Sequence, residues 1–152
     1  MALLNICAIT GNNMVVQVGL AFLSGEKEVD YNWAIDYMRE IMAEHSIEEP
    51  SSIVTDRELA LIKCLHRFPA SQHIFCCWHV NMNVLANTKK WFLAPVRVDG
   101  VIRQHPQFQE FIQSWNVLLD SCTEHMYNQE LVKFKAKYPT AVVTYCVDTW
   151  LL

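Results

Sequence analysis

The sequence predicts a mixed α/β fold for the first part of the chain and an all-α region for the rest. Three observations carry that reading. Two apolar runs flank the turn residues Gly11-Asn12-Asn13, the pattern of a β-hairpin. Short β-branched runs then alternate with stretches of helical spacing, which implies a sheet with a parallel portion. After His79 that alternation stops. The boundary is therefore drawn between residues 1–79 and 80–152.

The elements follow in order. Leu3 to Thr10 and Met14 to Leu23 form the hairpin strands, and Ser24-Gly25-Glu26-Lys27-Glu28 ends the second. From Tyr31 to about His45, residues Tyr31, Ala34, Ile35, Met38, Ile41 and Met42 share one helical face, while Asp36, Arg39 and Glu40 lie on the other. Asp30 is the expected N-cap, and Glu48-Glu49-Pro50 closes the unit. Ser52 to Thr55 is a β-branched strand. Thr55-x-x-Glu58 has the form of a capping box for a helix over 57–67 that Phe68-Pro69 ends. His73 to Trp78 is the next strand. Residues 80–92, Phe108–Leu119, Glu124–Tyr138 and Thr140–Leu152 read as successive helices, with Ala94 to Gly100 as a connection.

Composition narrows the classes. With 152 residues, 52% hydrophobic and 18% charged, the chain is one domain or part of one. Net charge is −4, which gives no electrostatic case for a dedicated nucleic-acid module. No apolar run reaches the roughly 18 residues of a membrane span, and the N-terminus lacks the basic region of a signal peptide. Six scattered cysteines form no regular disulfide framework and point to a reducing, intracellular compartment.

Few residues have chemical potential. Asp56 stands at the carboxyl end of a strand, where α/β sheets place ligands and metals; the alternative is that it caps the following helix. Cys76 and His79 have Cys-x-x-His spacing, half of a zinc site. A second pair, Cys122 and His125, would complete four ligands if the helical region folded back. The alternative makes Cys76 and Cys77 buried strand residues and His125 an ordinary helix residue. A Cys/His catalytic dyad lacks any surrounding nucleophile motif. Glu26 and Glu28 read as solvated. Lys89-Lys90 and Lys133-Lys135-Lys137 read as solvated helix faces, with phosphate contact as the other option.

Taken together, the chain resembles the Mutator-like element (MULE) transposases. The resemblance rests on Glu26 followed by Tyr31-Asn32-Trp33, on Ile53-Val54-Thr55-Asp56-Arg57-Glu58-Leu59-Ala60-Leu61, and on Phe68-Pro69 before His73. Cys76-Cys77-Trp78-His79-Val80-Asn81-Met82-Asn83 completes it, with weaker support from Trp115, Thr123-Glu124 and Tyr145 through Trp150-Leu151. It implies an RNase H-like fold of the DDE type. Three acids there bind two divalent cations, Mg²⁺ or Mn²⁺, for phosphoryl transfer on DNA. Asp56 matches the second acid, and Cys76 and His79 match the family's Cys-x-x-His pair. Glu124 and Glu130 do not match the motif of the third. The resemblance further implies a partial catalytic core over 1–79 that lacks its central first strand, and a helical insertion over 80–152. The expected partner is DNA, with a homo-oligomer as an option and neither membrane nor small-molecule substrate; the expected location is the nucleus. Two other functions stay open: a domesticated binding module, as in plant transcription factors of far-red light signalling, and a zinc-stabilised interaction domain.

Overall fold

The computed structural model describes residues 1–151. They form two compact units, Met1–Cys76 and Cys77 onward. The architecture is mixed α/β, with helices and three small two-stranded sheets.

The first unit begins with β1 (Ala2–Ile9) and β2 (Val15–Leu23), an antiparallel hairpin. Alternation sends Ala2, Leu4, Ala21 and Leu23 toward the core and leaves Leu3, Leu20 and Phe22 exposed. The register shifts between Ile6 and Cys7. At that bulge the Gln17 amide nitrogen lies 3.0 Å from the Ile6 carbonyl, 2.8 Å from that of Gly19 and 2.5 Å from Asn5 Oδ1. Helix α1 (Glu28–Glu44) buries Tyr31, Ala34 and Ile35, on the face its spacing predicts. Its N-cap is Lys27 rather than Asp30. Asp30 sits three positions on and accepts the Lys27 backbone N–H at 3.0 Å, so it satisfies an unpaired helix-end donor from inside the first turn.

Strand β3 (Ser52–Thr55) pairs in parallel with β4 (Gln72–Phe75). Between them runs α2 (Leu59–Cys64), extended by a 3₁₀ turn over Leu65–Arg67. Leu61, Cys64, Leu65 and Phe68 close the core against Leu23, Tyr31, Ala34 and Ile35. Arg67 pairs with Asp36 of α1 across the rim of this core. The expected Thr55-x-x-Glu58 capping box does not form. Glu58 is itself the N-cap and accepts the Ala60 N–H at 3.1 Å, while the Thr55 hydroxyl is engaged at the sheet.

The strand expected over 73–78 ends at Phe75, and α3 (Cys77–Thr88) begins two residues later. Cys76 and Cys77 are therefore not buried strand residues: Cys76 is half-buried between the elements and Cys77 is exposed. The helix wins because Val80, Val84 and Thr88, spaced four apart, form one fully packed stripe. A 3₁₀ turn over Lys89–Trp91 follows.

The second unit is not all helical. Strands β5 (Val96–Val98) and β6 (Val101–Arg103) pair antiparallel where a plain connection was expected. The turn residues Asp99 and Gly100 both have positive φ, 51° and 79°, the two-residue hairpin geometry that Asp-Gly favours. Helices α4 (Pro106–Leu119), α5 (Glu124–Lys137) and α6 (Thr140–Cys146) complete the unit, and a π turn continues α6 over Val147–Leu151. The last residue of the helix expected over 140–152 lies outside the described residues. Phe108, Phe111, Trp115 and Leu118 make the buried stripe of α4. Phe111 and Trp115 lie 5.7 Å and 6.0 Å from the Phe134 ring of α5. Trp115 Nε1 donates to Asn81 Oδ1 of α3 at 2.9 Å, so the one polar atom of this large side chain is satisfied on burial.

Candidate functional site

The site starts from backbone. The Thr55 carbonyl accepts the Cys76 N–H at 2.7 Å, one step beyond the last paired residues of β3 and β4. Both strands are thus fixed up to the point where Asp56 and Cys76 emerge. The Thr55 hydroxyl lies 2.7 Å from the Asp56 carbonyl and 2.8 Å from His73 Nε2. Those contacts leave the Asp56 side chain exposed at the carboxyl end of a parallel strand. One of its oxygens accepts the Glu58 N–H at 3.2 Å, an Asx-type turn; the helix cap is supplied by Glu58. Asp56 therefore shapes the turn into α2 while its carboxylate still faces solvent.

The surroundings are acidic. Tyr31 is buried, and its phenol is held above the usual range, first by burial and then by the charges of Glu58, Glu26, Asp56 and Asp30. Four carboxylates thus act on one hydroxyl. Glu26 is exposed, as expected, and is one of these four. His73 escaped the sequence reading as a site residue. Its pKa is lowered by burial, and its ring meets Phe75 edge-on at 5.1 Å. Its place beside Thr55 follows from the parallel register, in which Ile53 faces His73 and Thr55 faces Phe75. No periodicity in the sequence reveals that register.

The Cys-x-x-His motif spans the boundary between the units, with Cys76 the last residue of the first and His79 in the opening turn of α3. His79 is half-buried; Trp78 packs edge-on against it at 4.8 Å, and its Nδ1 is buried without a hydrogen-bond partner. Cys122 is exposed, and His125 in α5 lies 2.9 Å from Gln129 Nε2. Among the described residues no three His, Cys, Asp or Glu side chains gather closely enough to hold a metal ion. Asp56 with its neighbours therefore does not fit a two-metal centre on its own. Of the two basic clusters, Lys133 pairs with Glu130 at 2.6 Å and Lys137 with Glu110 at 2.7 Å.

The family profile of the MULE transposase domain matches residues 1–83, which takes in the hairpin, Asp56 and the Cys-x-x-His pair. The chain is similar to Protein FAR1-RELATED SEQUENCE 5 of Arabidopsis thaliana, 31% identical over 93 residues, which are 60% of this chain and 10% of that protein. It is also similar to the PKS-NRPS hybrid synthetase cheA of Chaetomium globosum, 30% identical over 98 residues, 64% of this chain and 2% of that protein. The chain thus spans a small part of the curated relatives it matches. No solved structure matches it.

Proposed function

Because the chain belongs to the MULE transposase domain family, we propose that it is a DDE-type transposase domain that acts on DNA and contributes one carboxylate, Asp56, to the phosphoryl-transfer site. The observation that carries this reading is the placement of Asp56. It is exposed at the carboxyl end of β3, on a backbone fixed from both sides, with further carboxylates around Tyr31. An RNase H-like sheet belongs to the same proposal. What supports it is the order hairpin, helix, strand, helix, strand, with β3 and β4 parallel. Among the described residues β1 bonds only to β2, and β3 only to β4, so each has an edge able to receive a further strand. Divalent ions of the Mg²⁺ or Mn²⁺ type would be held by Asp56 together with acids that are not among the described residues, and would supply the activated nucleophile. The corresponding partner is DNA and the corresponding location is the nucleus.

The test has two arms. The 152-residue chain, incubated with duplex DNA and Mg²⁺ or Mn²⁺, is expected to give neither nicking nor strand joining; Asp56-dependent cleavage would show that the chain holds a whole site. In a protein that carries this domain with the remaining acids, strand transfer is expected to vanish on Asp56→Asn. Full activity of that variant overturns the assignment.

A second reading, a transposase-derived binding module without DNA chemistry, is favoured by the similarity to Protein FAR1-RELATED SEQUENCE 5. Tight DNA or protein binding that Asp56→Asn leaves intact, with no cleavage in either protein context, would select it.

A further inference from the structure

The charges of this acidic chain are segregated. From Leu59 to Val98 there is no acidic residue, and over 59–109 Asp99 stands alone against Lys63, Arg67, Lys89, Lys90, Arg97 and Arg103. In the second unit the cations after Glu110 are largely spent on Glu130 and Glu110. Lys89, Lys90, Arg97 and Arg103 enter no ion pair among the described residues; Lys90 only lies over the Trp91 ring, 4.4 Å from its centre. Two of these four cations sit on the β5–β6 ribbon. Its register pairs Arg97 with Ile102 and Val96 with Arg103. Paired residues share a face and successive residues alternate, so each face of the ribbon carries one guanidinium. Both arginines are exposed, and Ile102 is 71% exposed beside Arg97.

We propose that the β5–β6 ribbon is a contact element for duplex DNA, with Arg97 and Arg103 each engaging a phosphate and Lys89-Lys90 adding to the same field. The occupant follows from charge and shape. A ribbon standing edge-on in a groove turns its two faces to the two phosphate strands, and a cation on each face answers both. Guanidinium groups favour phosphate through their planar fork of donors. A two-stranded ribbon is narrow enough for a groove, and an exposed isoleucine next to a cation suits the sugar and base edges inside it. The inference deepens the proposed action on DNA, and rests on it, by naming the surface that would hold the duplex.

The test is a salt titration of the 152-residue chain on random-sequence duplex DNA, read by fluorescence anisotropy. Each phosphate contact contributes about 0.9 to the slope of log K against log salt. Arg97→Ala/Arg103→Ala is expected to weaken binding at low salt and to lower the slope by about 2. Arg97→Lys/Arg103→Lys should keep the slope, and an unchanged circular dichroism spectrum confirms that the ribbon variants are folded. If the alanine pair binds DNA with the wild-type slope, the ribbon is not the contact, while action on DNA survives. If wild-type chain is retained on heparin through these arginines yet binds no duplex, the DNA assignment itself fails.

Discussion

Asp56 is positioned by main-chain bonds on its neighbours, so its own side chain is free to change. Asp56→Asn keeps an oxygen for the Glu58 N–H, and unfolding by urea is expected to shift by less than about 0.5 kcal/mol, as for most exposed positions. A loss beyond about 2 kcal/mol would mean that the carboxylate is structural. His73 behaves differently. Burial lowers its pKa from 6.5, so the unfolded chain takes up a proton in a range where the folded chain does not. The stability that depends on His73 is full above pH 6.5 and is lost as pH falls through the folded value. Urea midpoints at about pH 7.5 and about pH 5.5 should therefore fall less in His73→Gln than in wild type. The cysteines sort by the same physics. Burial pushes the Cys146 thiol up to about 12 and also raises Cys64, whereas Cys7, Cys77 and Cys122 are exposed. Mass spectrometry after brief alkylation of native protein should find the last three modified and Cys64 and Cys146 untouched.

At the scale of elements, caps and turns set the local costs. Thr123 caps α5 by accepting the Met126 N–H at 3.2 Å, and Thr123→Ala is expected to cost about 1 kcal/mol in urea unfolding. Gly100 holds φ of 79° with open space around it. Gly100→Val should therefore loosen the β5–β6 ribbon through backbone strain of about 1–2 kcal/mol, seen as faster amide exchange over residues 96–103. These two elements also show what the sequence discloses. Thr123-Glu124 before a helical run is a local signal, and α5 begins where it predicts. β3 is equally plain, because Ser52-Ile53-Val54-Thr55 is short, β-branched and bounded. The β5–β6 ribbon is not legible in the sequence because each strand has three residues, too few for a visible period, and Pro95 beside them reads as a break. Asp99-Gly100 was the available signal. The end of β4 is hidden for the opposite reason: apolar residues run from Ile74 through Trp78, and only the packing of Val80, Val84 and Thr88 shows where helix replaces strand. Asp56 was visible as a strand-end acid, whereas the Thr55–His73 contact depends on a register fixed by tertiary structure.

For the molecule as a whole, the decisive contrast is between buried and exposed apolar surface. In the second unit, Trp115 is fully buried and hydrogen-bonded to Asn81; Trp115→Ala is expected to cost about 3–5 kcal/mol and to abolish cooperative melting of that unit. The first unit is less well covered. Its first 25 residues contain no charged side chain, and Leu3, Val18, Leu20 and Phe22 are all more than half exposed. An apolar, uncharged hairpin with an open edge favours association. Light scattering should show concentration-dependent growth that Leu20→Lys suppresses; a monodisperse wild-type chain at high concentration would mean the surface is harmless. The same absence of charge bears on Gln17. Ion pairs across the two strands cannot choose their alignment, and nearly every side chain available to slide past another is greasy and interchangeable. One amide, seated on the carbonyls at the bulge, acts like a pawl in a ratchet. Exchanging the residues around it among aliphatic types should therefore leave the alignment unchanged, while loss of the Gln17 amide should free it.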